Sequence, residues 1–560
     1  MMTSQKSKNH FWRNIQLNPL FLLFIVPFAV QAAGNASEIW ISARTNALGT
    51  STMRGNGSIT NPYYGDFDFI INRISTNTTE HLLAGVFYTK GFQYMAGDPQ
   101  LSQSQRLIGA GTNVTIIRRD HRFHFQDGQN VAVFGSADGI TVSNLTIDCN
   151  NTTGTNPFKG DGIYLCGNSC VIQRVQVVNS SGNWLNGQED FAIVVGNGGE
   201  TNVLTTNNLI ANCEVSSEKG NYTTAITVAG QGVIEFCSVI FTNSIFGIGY
   251  LDDGFGAGYQ ADATSRSLII SNSCFGGGNG FYNDTYSNTN LAIEYNNFRC
   301  IKGIYFNLGS AWTVDGLTIR GNRMELRSNS ASQVNVNGID FLNNTTNIQY
   351  SHVLIAGNTI SGMNVGSGMR LRNSAYVTNV NNILWTTNAA SSGNGMISMR
   401  NCSNTVTANN LVYGNGVNVN GIAIEDPSTS SDVVLNNIVM GCNLNSICVQ
   451  NTACISVCDS NLFYPFANDE QTLAQWQSAG FDNHSVFADP LVANANTGDF
   501  QLTSNSPAIA QALNLTADGI TKDASGNSRP ATGNWDMGAY EFVVSPPVSP
   551  PTRLQVHGFP

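Results

Sequence analysis

Seven side chains of types that handle sugars recur at equivalent places in successive stretches of the chain: Tyr282, Asp284, Tyr305, Asn307, Asp340, Arg370 and Arg372. Each lies two or four residues after a glycine that opens a short apolar run, namely Gly280, Gly303, Gly338 or Gly368. Lys302 directly precedes Gly303, and Asp252 and Asp253 close the stretch before Gly280. Aromatic rings offer apolar faces to sugars, while carboxylates and guanidinium groups address hydroxyls and acidic substituents. The candidate catalytic groups are Lys302, Asp340 and Arg370; the candidate substrate contacts are Tyr282, Tyr305, Asn307 and Arg372. Asp252, Asp253 and Asp284 offer the oxygen ligands that Ca²⁺ takes. Hydrolysis with inversion needs two carboxylates ~6.5–9.5 Å apart, for which Asp252 or Asp253 with Asp284 or Asp340 are the available pairs. A plainer reading stands beside this one. Asp340 and Arg370 are a cross-strand ion pair worth ~0–1 kcal/mol if exposed, and Tyr282 and Tyr305 an ordinary aromatic pair.

For these residues to meet, the stretches that carry them must stack in register. A six-residue phrase with apolar ends and a central Asn supplies the repeat: Ile319 to Met324, Ile355 to Ile360, Val406 to Leu411 and Val433 to Ile438. Its fourth position runs Leu145, Val175, Cys213, Cys237, Ser273, Asn296, Asn322, Asn358, Asn381, Asn409, Asn436, Ser460, at intervals of 23 to 38 residues. Self-similarity at this period marks a solenoid, whose units bury their apolar faces only by stacking. The runs are short, β-branched and bounded by Gly and Asn, so they are strands. Identical columns then pair as parallel strands ~4.8 Å apart. Asn suits the bend because it tolerates left-handed backbone and its amide can bond its own copy in the next coil.

The expected fold is an all-β parallel β-helix of about twelve coils over residues 106–465. An N-terminal cap precedes it at 34–105, where Phe67, Ile70, Ile71 and Ile74 have helical spacing. A helix there would shield the unpaired edge of the first coil. A C-terminal cap spans 466–542, and a Pro-rich tail 543–560. Residues 1–33 have the basic start, apolar run and small-residue end of a secretory signal, and that run is shorter than the ~18 residues a membrane span requires. Export, release and a monomeric state are the expectation.

Only 11% of residues are charged and the formal net charge is −11, which argues against a nucleic-acid partner. Twelve cysteines fit an oxidising compartment, without zinc-type spacing. Cys166/Cys170, Cys442/Cys448 and Cys454/Cys458 are close enough to staple loops, and Cys213 and Cys237 are either stacked thiols or a bridge. His121 and His124, among Arg118, Arg119 and Arg122, read as a solvated basic surface, and His352 is given no catalytic role.

The repeats resemble the right-handed parallel β-helix superfamily typified by pectate lyases, as do Leu82-Leu-Ala-Gly-Val-Phe87 and Ile108-Gly-Ala-Gly-Thr-Asn113. The C-terminal block resembles the ending of many secreted bacterial β-helix proteins. It comprises Asp489-Pro, Gly498-Asp-Phe-Gln-Leu502, Ser506-Pro-Ala-Ile509, Arg529-Pro and Asp536-Met-Gly-Ala-Tyr-Glu541. Ala510-Gln-Ala512 departs from that pattern. The resemblance covers about residues 80–542 and implies a polysaccharide partner. It also implies a site on the sheet carrying the Tyr, Asp and Arg residues, and a Lys or Arg base for β-elimination at a uronate. Lys302, Arg370 or Arg372 would be that base. The Asn-Thr-Asp and Gly-His-Gly motifs of polygalacturonases are missing. The expected function is a secreted polysaccharide-active protein, lyase ahead of hydrolase. A non-catalytic glycan-binding or surface-display protein is the rival, because one fold hosts many functions.

Overall fold

The computed structural model describes residues 37–543 apart from 47–48, 93–98, 121–130, 151–161, 181–190, 197–203, 218–223, 242–252, 258–266, 285–286, 328–335, 344–345, 363–366, 387–394, 426–430 and 469–471. The expected signal segment, the tail beyond 543, Asp252, His121 and His124 lie outside the described residues.

Each coil contributes one strand to a twelve-stranded sheet that runs from Val133–Gly135 to Asn445–Val449, every pairing parallel and each strand beside the next coil's. The remaining faces merge into one large, bent, chiefly parallel sheet. The chain is a right-handed parallel β-helix. Inside the twelve-stranded sheet, Val133, Ile163, Ile193, Ile226, Phe255, Phe281, Ile304, Ile339, Met369, Ile397, Ile422 and Ile447 form one core column in register, all with 0% exposure. The glycine column before it follows from close packing. A Cβ on Gly303 would stand 2.3 Å from Met324 Sδ, and one on Gly338 2.4 Å from Ile360 Cγ2.

The same glycine-then-apolar pattern at Gly247-Ile248 and Gly395-Met396 does not mark the column. Gly247 lies outside the described residues, and its coil supplies the strand Asp253–Ala257 with Phe255 in the column. In Gly395–Arg400 it is Ile397, not Met396, that pairs with Met369. In Gly395–Arg400 both Met396 and Ile397 are buried, and the register places Ile397 in the column.

A buried asparagine ladder holds the bend. Asn272, Asn296, Asn322, Asn358, Asn382, Asn410 and Asn437 each donate a backbone N–H to the side-chain oxygen of the following member, ending at Asn461, over 2.8–3.0 Å. Each Nδ2 from Asn296 onward also reaches a carbonyl of the preceding coil, as Asn358 does to Ile319 at 3.0 Å. The expected column took Ser273, Asn381, Asn409, Asn436 and Ser460, one residue off. Left-handed tolerance and ladder bonding belong to neighbouring positions: Asn381, Asn409 and Asn436 adopt φ of 57°, 54° and 60°, and the next Asn points inward. Cys213 and Cys237 fill two ladder places as stacked free thiols, with the Cys213 N–H 3.4 Å from Cys237 Sγ. None of the twelve cysteines forms a disulfide, so Cys166/Cys170, Cys442/Cys448 and Cys454/Cys458 do not staple their loops.

At the N-terminal end, α1 (Phe67–Ile71) lays Phe67, Ile70 and Ile71 into the core, with Asp66 as its N-cap. At the other end, α2 (Leu473–Ser478) seals the core with fully buried Trp476, whose Nε1 donates to Asp482 Oδ2 at 2.7 Å. The block after it lies along the flank. Phe500, Trp535 and Met537 cover Val380, Val406 and Ile438, and Asn381 and Asn436 bond Lys522 and Leu513.

Candidate functional site

The outer face of the twelve-stranded sheet carries the column Tyr282, Tyr305, Asp340, Arg370, Ser398 in adjacent strands. Four of the seven expected side chains, with Lys302, close into one cluster around Asp340, which has no accessible surface. Arg370 grips it bidentately, Nε to Oδ1 and Nη2 to Oδ2, both at 2.6 Å. Asn337 Nδ2 donates to Oδ2 at 2.7 Å, and Lys302 Nζ stands 3.6 Å from the same oxygen. Lys302 Nζ also sits 3.5 Å from the centroid of the Tyr305 ring, which packs 5.4 Å from Tyr282. Lys302, Tyr305 and Arg370 are buried, and Tyr282 is half-buried. Asn337 was not expected in the site. It sits on the strand start beside Lys302, where the inward glycines Gly303 and Gly338 throw the preceding residue outward.

Sealing changes what Asp340 can do. A carboxylate whose oxygens are filled by a guanidinium, an amide and an ammonium, with no surface, cannot reach a sugar. It holds Arg370 and Lys302 in place. A bidentate Arg–carboxylate pair is among the stronger polar contacts, yet a buried pair is weak evidence of net stability because desolvation opposes it.

Two residues further along the same strand, Arg372 is differently placed. It is half-buried, its Nε is buried without a hydrogen-bond partner, and it pairs in register with Arg400 of the next coil. Burial first, then the nearby Arg370 and Arg400, lower its pKa, while Asp340 and Glu425 oppose. Arg400 is exposed. The pattern of a residue four after its glycine would put Met399 there, and the register of Gly395–Arg400 puts Met399 in the core instead. The repeated Arg-Asn of Arg372-Asn373 and Arg400-Asn401 is the signal that finds it. Both asparagines are left-handed, and Asn401 Nδ2 donates to Asn373 Oδ1 at 2.6 Å.

Of the expected Ca²⁺ ligands, Asp252 lies outside the described residues, and the strand register sets Asp253 and Asp284 apart. Asp253 pairs with Asn279 at the start of its neighbour strand and Asp284 with Asn307 at the far end. Asn279 and Asp284 are five residues apart, roughly 16 Å at strand rise, beyond what two carboxylates on one ion can span. Asp253 opens its strand rather than closing the one before it, which is the physical reason. Among the described residues no group of three His, Cys, Asp or Glu side chains is placed to hold a metal. Asn307 is half-buried, beside Leu342 in register. His352 lies off this sheet, in Tyr350–Ala356, with Nδ1 2.7 Å from Asp315 Oδ1.

No protein-family model matches the chain, and no curated protein matches it. Among solved structures it is similar to the Dettilon tailspike protein (gp208), with 14% identity and a TM-score of 0.39 over 74% of this chain and 62% of that one. A mutant tailspike protein of E. coli bacteriophage HK620 in complex with a hexasaccharide gives 13% identity and a TM-score of 0.45 over 73% and 71%. Another HK620 mutant, in complex with a pentasaccharide, gives 13% and 0.46 over 69% of both chains. The likeness says nothing about the residues of the site.

Proposed function

We propose that the protein is a secreted, polysaccharide-active protein that binds an acidic chain along the outer face of the twelve-stranded sheet and cleaves it by β-elimination. The observation that carries this reading is Arg372, a half-buried cation with a lowered pKa and a partnerless buried Nε, beside Arg400. A lyase needs a base for the proton α to a uronate carboxyl and a cation for the carboxylate. Arg372, in its neutral form, takes that proton; Arg400 neutralises the carboxylate. The electron pair left on carbon forms the new double bond as the glycosidic C–O bond breaks, and water protonates the leaving oxygen. Lys302 and Arg370 are bound to Asp340 and serve as positioning residues, with Tyr282 and Tyr305 as the apolar floor. Hydrolysis has less support, because Asp340 is sealed.

That sealing also favours a second reading, glycan binding without turnover. Incubation with a panel of acidic polysaccharides, followed by the ultraviolet absorbance of unsaturated uronate ends, separates the two. We expect turnover, and Arg372→Ala to lower kcat/KM by ~100-fold or more, as loss of a general base does. Turnover indifferent to Arg372→Ala contradicts the assignment. Binding without any unsaturated product leaves the non-catalytic reading.

A further inference from the structure

The N-terminal cap contains a shallow cavity of about 500 Å³, largely open to solvent, lined by Ser51, Thr52, Arg54, Tyr63, Phe69 and Arg73, of which Ser51, Arg54 and Arg73 are exposed. No acidic residue lines it. Among the described residues neither Arg54 nor Arg73 forms an ion pair, in a chain whose net charge is −11. The Arg73 guanidinium lies over the Phe69 ring, 3.4 Å from its centroid, and Tyr63 supplies a second ring.

The walls are held in place. Met53–Arg54 pairs antiparallel with Tyr63–Gly65, so Arg54 stands opposite Tyr64. Gly55 has φ +88°, and a Cβ there would stand 2.2 Å from the Pro62 carbonyl oxygen. Asp66, the N-cap of α1, accepts from the Ser51 N–H at 3.0 Å and donates its own N–H to the Thr52 carbonyl at 2.8 Å. The helix bearing Phe69 and the loop bearing Ser51 and Thr52 are thereby one unit. With the surrounding backbone fixed before binding, less entropy is lost on occupation.

We infer that this cavity is a second binding site, for a single acidic sugar: a pyranose carrying a carboxylate. The two guanidinium groups take the carboxylate, that of Arg73 held against the Phe69 ring, the Tyr63 ring takes the apolar face of the sugar, and the Ser51 and Thr52 hydroxyls meet ring hydroxyls. It is independent of the Arg372 face.

Isothermal titration of the full chain with D-glucuronate, D-glucose and inorganic sulfate tests it. Glucuronate binds, glucose does not, and sulfate competes with glucuronate. Arg54→Ala and Arg73→Ala each weaken glucuronate by about tenfold or more, the loss typical of one charge-assisted hydrogen bond, with unchanged circular dichroism. Arg372→Ala leaves this binding in place. Glucuronate binding absent, matched by glucose, or untouched by both cap variants overturns the inference. So does binding that vanishes with Arg372→Ala, which would place it on the central face, and sulfate binding alone, which would make the cavity an inorganic-anion site.

Discussion

Two buried carboxyl groups of this chain meet opposite fates, set by their neighbours. Asp340 is compensated by Arg370, Lys302 and Asn337. Its Asp340→Ala variant strands a buried guanidinium and ammonium, so denaturant unfolding should show a loss of ~3–5 kcal/mol, and an unchanged midpoint would refute its structural role. Glu80 is uncompensated. It stands in register between Ile39 and Leu107, fully buried, both oxygens without a partner. Burial raises its pKa from 4.5 to about 8. The folded state therefore keeps a proton that the unfolded chain releases. Its contribution to stability is full below pH 4.5, declines as pH rises, and is lost through about pH 8. Asp68, raised to about 6 chiefly by burial, adds to the same slope at lower pH. Glu80→Gln should raise the melting temperature at pH 8 while leaving it little changed at pH 4. An equal effect at both pH values would mean that ionisation is not the cause.

At the scale of the coil, the asparagine ladder sets the bend. Asn358→Ala removes the acceptor of the Asn322 N–H and Nδ2 and the donor to the Ile319 carbonyl. Leaving such groups unsatisfied costs ~1–3 kcal/mol, whereas alanine at exposed, left-handed Asn212, which precedes Cys213, should cost less. Equal losses in chemical denaturation would count against the ladder. The period of this element was legible because burial and left-handed backbone both select Asn. Its phase was not, since in Asn381-Asn382 one residue turns the chain and the next bonds across coils, and both tasks favour the same side chain. The same ambiguity hid Arg400. Glycine followed by an apolar residue marks a core column only when one candidate exists, and Gly395-Met-Ile397 offers two. Where a single candidate stood, as at Gly303-Ile304 and Gly338-Ile339, the site residues fell into register as read.

For the whole molecule, stacking turns residues scattered over some ninety positions, from Tyr282 to Arg372, into one wall. The core column inside and the flank block outside fix its curvature, so side chains from neighbouring coils meet without any loop arranging them. Composition showed the solenoid, but which outward carboxylates stay open to solvent depends on contacts that form only after stacking, and Asp340 is the case in point. On this account the wall recognises charge along a polysaccharide through Arg400, beside the base Arg372. The most direct measurement is the affinity for an acidic oligosaccharide against the same oligosaccharide with its carboxyl groups reduced to alcohols. The account predicts about tenfold or more weaker binding on reduction, the worth of a lost charge-assisted contact, and a much smaller difference in Arg400→Ala. Equal affinity for the two oligosaccharides, or a difference that survives Arg400→Ala intact, would contradict it.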